Sequence, residues 1–205
     1  MNTVRIGDAV RRFEDFRLLK GKGRYADDVK VLGQARAYVL RAPHAHAEIR
    51  AMDIAGALAA PGVLAVLTGD ALAARGLGAQ RPGFAGQRAD GKPGFVTPQP
   101  LLAQDRVRFI GEPVAFIVAE TLDQAKDGAE RIHIDYEILP AVVNVNAALT
   151  AGAPAVWGDN PDNEAFTFQI GEAADVAAAF EKAAHVVRHR VAVNRVTANA
   201  LETRG

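Results

Sequence analysis

The sequence predicts a packed unit of strands and short helices, mixed α and β, and three observations carry that expectation. The apolar runs PVAFIVAE and VLAVLTG are short and rich in β-branched residues, as buried strands are. In IHIDYEIL, Ile132, Ile134, Tyr136 and Ile138 alternate with His133, Asp135 and Glu137, the period-two pattern of a half-buried strand. Between these strands Leu122, Ala125 and Ala129 recur at helical spacing, with Ile132 closing the same face, which predicts one short amphipathic helix.

In chain order, the first thirty or so residues mix charge and apolarity and end in the turn-rich GKGRYADDV, a surface arm rather than core. ARAYVLRAP and HAEIRAMDI alternate as two strands separated by Pro43. AGALAA is a short helix that Pro61-Gly62 stops, and after that turn VLAVLTG is a buried strand. Asp70 stands where an N-cap for ALAAR belongs, since its carboxylate can accept from the first free N–H groups. Residues 75–100 are dense in glycine, proline and polar residues without periodicity, a long surface loop. Gly111-Glu112-Pro113 turns the chain into PVAFIVAE, with Pro113 at the strand start, where a missing N–H costs least. Thr121 caps the following helix, and Pro140 ends the IHIDYEIL strand. Residues 141–163 read as an irregular connector, EAADVAAAFEKAA as a second helix after Gly171, and HVVRHRVAV as a further strand.

With 205 residues, 49% of them hydrophobic, the chain can bury roughly 70% of the surface that its unfolded form exposes, the scale of one domain or one plus part of a second. Lysine and arginine equal aspartate and glutamate at 24 each, so no net field favours nucleic acid or an anionic membrane. The apolar runs fall far short of the ~20 residues that span a bilayer. MNTVRIGDAVRRFEDF places charges where a signal peptide needs an apolar stretch, so a cytoplasmic location is expected. The sequence contains neither cysteine nor serine. These residues therefore cannot supply a thiol nucleophile, a disulfide, a thiolate-bound iron–sulfur cluster or a Ser-His-Asp site.

The residues that could carry chemistry each have a plainer explanation. His44 and His46 would share one face of an extended backbone, but no third metal ligand is near in sequence. His185 and His189 stand four apart in a segment that alternates like a strand, and no acid lies between them as a helical metalloprotease motif requires. Gly21, Gly23 and Ala26 form a GxGxxA pattern, yet RLLK is too short and charged to be the preceding buried strand and YADD opens no amphipathic helix; a turn is expected. Glu112, Asp135 and Glu137 are conceivable general acids or bases, with Asp135 and Glu137 better placed as solvated carboxylates on a polar strand face. Arg24, Arg41 and Arg108 could meet carboxylates of a partner or serve solubility. No catalytic, cofactor-binding or metal-ligating residue is assigned on this chain.

Three segments together carry a family resemblance. GDAVRRFEDFRLLKGKGRYADDV, LRAPHAHAEIRAMDIAGALAAPGVLAVLTGDAL and LLAQDRVRFIGEPVAFIVAETLDQAKDGAERIHIDYEILPAVV, in that order, resemble the amino-terminal region of the large, molybdopterin-binding subunit of the molybdenum hydroxylases. That family includes xanthine dehydrogenase, aldehyde oxidase and aerobic carbon monoxide dehydrogenase. The resemblance implies an α+β fold, the α/β-hammerhead, with a mixed twisted sheet and short helices packed on one side. It implies an N-terminal arm over residues 1–20, the hammerhead domain over 21–147, a connector over 148–170, and over 171–205 the truncated start of the molybdenum-cofactor-binding domain. Relatives carry a methionine, glutamate, proline, arginine, glycine run near this end. Here Leu201 and Thr203 take the places of the methionine and the proline, and Phe16 stands where a proline is common.

The family relation further implies hydroxylation at an electron-poor carbon or carbon monoxide oxidation, performed by a molybdenum–molybdopterin cofactor that the protein orients. Electrons would leave through iron–sulfur clusters and FAD on partner chains. The glycine-rich loop and the base glutamate of that chemistry lie in sequence that this chain does not contain. The chain is therefore expected to be a non-catalytic scaffold and interaction part of a large subunit, as a fragment or as one piece of a split subunit, and inactive alone. Its expected partners are the remainder of the molybdopterin-binding subunit and the iron–sulfur and flavin subunits. The alternative is a free-standing ligand-binding or regulatory domain that reuses the fold.

Overall fold

The computed structural model describes residues 6, 7, 9, 10, 12–189 and 191. It divides into two compact units, one combining Met1–Gln34 with His185–Gly205 and the other formed by Ala35–Ala184.

The first unit holds a single-turn helix α1 (Asp15–Leu19), none of whose residues is buried. Its end explains the glycine pattern noted in the sequence. Gly21 adopts φ +66°, its N–H donates to Leu18 O at 3.0 Å, and the Lys22 N–H donates to Arg17 O at 3.1 Å. This pair of bonds satisfies the last carbonyls of a helix and needs a left-handed residue, hence glycine. The pattern is a helix stop, followed by a 3-10 turn at Ala26–Asp28.

The second unit contains strands β1 (Arg36–Arg41), β2 (Ala47–Asp53), β3 (Val63–Thr68), β4 (Arg106–Val107), β5 (Pro113–Ala119) and β6 (His133–Ile138). Its helices are α2 (Ala55–Leu58), α3 (Gly69–Ala74), α4 (Leu122–Glu130), α5 (Val145–Ala148) and α6 (Ala173–Glu181). The strands form two three-stranded sheets, ordered β1-β5-β3 and β4-β2-β6. All their ladders are antiparallel, so the α+β expectation resolves into two antiparallel sheets with short helices. The neighbours β1 and β2, parted by Pro43, go to different sheets.

In the first sheet β5 is central, and Ala115, Ile117 and Ala119 are fully buried on the face that α4 covers. Thr121 starts α4 with its side chain accepting from the Gln124 N–H, while Gln124 reaches back to the Thr121 N–H, a reciprocal capping box. The helix buries Ala125, Gly128 and Ala129, small residues that let it lie close on the sheet. A Cβ at Gly128 would stand 2.8 Å from Val63 Cγ2. Burying a side chain such as Ile117 contributes roughly 1.5–3 kcal/mol. A second cluster of Ala42, Ala47, Ala103, Val107 and Val114 backs the other sheet, and Leu40, Met52 and Ile134 pack against both clusters.

Four local expectations change. Thr68, not Asp70, caps α3, accepting from the Ala71 N–H at 3.3 Å. The strand's last residue is extended and the helix begins at once, so Asp70 falls inside the first turn. β3 is an edge strand with a register shift between Val63 and Ala65, and only Val66 in it is buried. The connector after Pro140 contains α5, capped by Asn144. The HVVRHRVAV strand is absent over residues 183–189, because a strand needs a ladder partner and none is bonded to it among the described residues; its last positions lie outside them, as do Leu201 and Thr203.

Candidate functional site

The polar and aromatic groups that converge most closely lie where the long loop meets the connector. Arg88 is the hub. Its Nη1 donates to Asn160 Oδ1 at 2.8 Å and to Glu164 O at 2.9 Å, and its Nη2 pairs with Asp162 and, at 3.6 Å, with Glu164. The guanidinium fork suits such a multidentate grip. Backbone bonds flank it: Phe95 N–H to Ala165 O at 2.7 Å and Thr167 N–H to Gln87 O at 2.8 Å. Gly94 makes the approach possible, since a Cβ there would meet Ala85 O at 1.8 Å. The loop is thus a fixed structure, clamped to residues 157–167.

Beside the clamp, Arg108 lays its guanidinium over the Trp157 ring at 3.8 Å, and Phe95 meets the same ring at 5.9 Å. A cation on an aromatic face is favourable, yet Arg108 Nε is buried without an acceptor among the described residues, and burial lowers the pKa of the group. Arg108 begins a tight turn. Its N–H donates to Glu112 Oε2, the Gly111 N–H donates to Ala42 O at 2.8 Å, and Arg41 Nη1 donates to Gly111 O at 2.8 Å. Glu112 is buried. Burial pushes its carboxyl pKa up, against the opposing pull of the Arg108 and Phe109 N–H groups and the Arg108 charge.

On the second sheet the register aligns Arg106, Glu48 and Glu137 across β4, β2 and β6. Arg106 Nη2 meets Glu48 Oε1 at 2.6 Å, Arg50 Nη1 meets Glu48 Oε2 at 3.2 Å, and Arg50 also pairs with Glu137. The ladder runs from the part-buried Arg106–Glu48 pair to the exposed Arg50 and Glu137, and its exposed pair is of the kind that contributes little individually.

The histidines do not converge. His44 packs edge-on against Tyr136 at 5.0 Å between ring centroids. His46 is buried, with Nδ1 2.8 Å from Pro140 O. A carbonyl can only accept, so Nδ1 is the donor in this bond, while Nε2 is buried without a partner among the described residues. His185 and His189 are exposed, as are Arg24 and Asp135. Among the described residues no group of three His, Asp or Glu could hold a metal ion. The Arg88 and Trp157 nodes were not visible from motif spacing. The one tryptophan of the chain, placed in a proline- and asparagine-rich connector with Asp162 and Glu164 nearby, was the available signal.

A family model described as "Aldehyde oxidase and xanthine dehydrogenase, a/b hammerhead domain" matches residues 20–140. The chain belongs to this family. It is 38% identical over 200 residues to the nicotine 6-hydroxylase large subunit of Paenarthrobacter nicotinovorans, covering 98% of this chain and 24% of that protein. It is 35% identical to a carbon monoxide dehydrogenase large chain of Afipia carboxidovorans, over 97% of this chain and 25% of that one. Among solved structures, reconstituted CO dehydrogenase from Oligotropha carboxidovorans aligns at TM-score 0.67 and 34% identity, covering 87% of this chain and 22% of that chain. Quinoline 2-oxidoreductase from Pseudomonas putida 86 aligns at TM-score 0.57 and 42% identity, over 72% of this chain and 18% of that one. The chain thus spans about a quarter of the length of the curated relatives it matches. Both sheets, α4, Arg88, Arg108 and Glu112 lie within the hammerhead match, whereas Trp157, Asn160, Asp162 and Glu164 lie beyond it. The clamp therefore fastens the hammerhead loop to the sequence that follows the domain.

Proposed function

We propose that this chain is the hammerhead and adjoining part of a molybdopterin-binding large subunit of a molybdenum hydroxylase, and that it acts as a scaffold and interaction part without catalytic residues of its own. The observation that carries this reading is the combination of whole-chain similarity to large subunits with polar groups that are spent on internal bonds: Arg88 on the clamp, Glu112 on the turn, His46 on Pro140. On this reading residues 21–147 are the hammerhead domain, 148–170 the connector, and 171–205 belong with the cofactor-binding part. The cofactor, molybdenum held by molybdopterin, is supplied with the rest of the subunit, and iron–sulfur and flavin subunits are the further partners. The working location is the cytoplasm; among the described residues no helix is long and apolar enough to cross a membrane.

The test is elemental analysis and dye-linked dehydrogenase assay. The purified 205-residue chain is expected to hold no molybdenum and to show no activity, and both are expected once the remaining large-subunit sequence and the partner subunits are supplied. Stoichiometric molybdenum on the isolated chain would overturn the scaffold role.

A further inference from the structure

Every residue from Phe166 to Ala184 is exposed, although the stretch carries Phe166, Phe168, Ile170, Val176 and Phe180, each between 46% and 87% exposed. Large apolar side chains exposed this densely along one short segment mark an interaction surface more often than a free one. Two features give it order. Phe166, Phe168 and Ile170 fall at every second position, and the intervening Thr167 is bonded through its N–H to Gln87 O, as Ala165 is through its carbonyl to the Phe95 N–H. One edge of the segment is therefore tied to the clamped loop. Phe166 and Phe168 make no backbone bond among the described residues, which leaves the opposite edge open to a strand. Then α6 places Val176 and Phe180 one helical turn apart and buries none of its residues.

The charge of the strip narrows what can cover it. Within residues 165–180 the charged side chains are Glu172 and Asp175, both acidic; Glu181 and Lys182 follow the strip, and Glu164 before it is already paired with Arg88. A second copy of the strip would set like charges together, so a complementary surface is apolar with a basic rim. The hammerhead model ends at residue 140, but similarity to the nicotine 6-hydroxylase large subunit covers 98% of this chain and only 24% of that protein. The strip is thus large-subunit sequence outside the hammerhead domain, and most of such a subunit lies beyond the matched part.

We infer that residues 165–180 are a docking strip, held in place by the Arg88 clamp, on which the rest of a molybdopterin large subunit is seated. That occupant adds a strand to the edge of Phe166 and Phe168 and covers the Val176 and Phe180 stripe with an apolar, basic-rimmed surface. The inference rests on the large-subunit role proposed above.

The experiment co-expresses this chain with a tagged nicotine 6-hydroxylase large subunit lacking its matched portion and measures capture, alongside amide hydrogen exchange. The parent chain is expected to be captured, with exchange at the Phe166 and Phe168 amides slowed at least tenfold. The double variant Phe168→Gln/Phe180→Gln is expected to reduce capture at least tenfold while leaving the Tm of the isolated chain unchanged. Undiminished capture of the double variant, or unprotected Phe166 and Phe168 amides in the captured chain, would overturn the strip. So would a fall in the isolated chain's Tm, because it would show these side chains packed internally. Failure to capture even the parent chain would count against the large-subunit role itself, and the strip would fall with it.

Discussion

Glu112 shows how a residue that resembles a catalytic acid can be structural. It sits between Gly111 and Pro113, and its carboxylate holds the Arg108 N–H so that the chain can turn into β5. Burial is the largest influence on its pKa, and the direction is upward. The folded protein then binds that proton more tightly than the unfolded chain, so ionisation costs the fold stability. The contribution of Glu112 to stability should improve as pH falls through its folded-state pKa toward the unfolded value. Glu112→Gln keeps an acceptor and removes the charge, so it should unfold no more easily than the parent at pH 7 and lose this part of the pH dependence. Glu112→Ala leaves a part-buried N–H unsatisfied and should cost about 1–3 kcal/mol. Urea unfolding of both variants at pH 5 and pH 8 checks the pair; a Glu112→Gln protein much less stable at pH 7 would show that the charge itself is needed by Arg108.

At the scale of elements, local signals were legible and non-local ones were not. The α4 cap at Thr121, the strand after Pro113 and the alternation of β6 all depend on residues within a few positions of one another, and each stands where the sequence places it. The cap of α3 moved to Thr68 because the end of a strand fixed the helix start. The division into two sheets could not be read from β1 and β2 at all, since pairing with β5 and β6 is decided by distant residues. Gly128 is a non-local case with a testable consequence. Within a helix, replacing glycine usually helps, but here a Cβ would press to 2.8 Å from Val63 Cγ2 and 3.4 Å from Ile117 Cγ2. Gly128→Val should therefore destabilise the protein by about 1–3 kcal/mol through overpacking, read as a lower Tm; an unchanged or higher Tm would mean that α4 can lift from the sheet without cost.

For the whole molecule, the family could be recognised from distributed similarity, while the clamp could not, because its halves are separated by some seventy positions: Arg88 and Asn160 are 72 apart in sequence. The absence of cysteine and serine limits the chemistry at the level of residue types, but only the folded structure shows what Arg88 and Arg108 are used for. The arrangement predicts two levels of stability in the second unit. The sheets share Leu40, Met52 and Ile134 between their clusters, whereas the loop is held by the Arg88 side chain, the Trp157 ring contact and a few flanking backbone bonds. Arg88→Ala should speed amide exchange and proteolysis over residues 78–100 and leave exchange in β1, β3 and β5 close to that of the parent. Equal loss of protection in the sheet would show that loop and sheet open as one cooperative unit.

Trp157 gives that hierarchy an optical handle. It is the chain's single tryptophan, and its ring is in contact with the Arg108 guanidinium and Phe95 rather than with either sheet cluster. Indole emission therefore reports the junction of loop and connector, while far-ultraviolet dichroism reports the strands. Where the two signals part during denaturation, the clamp has released before the sheets, without any label having been introduced.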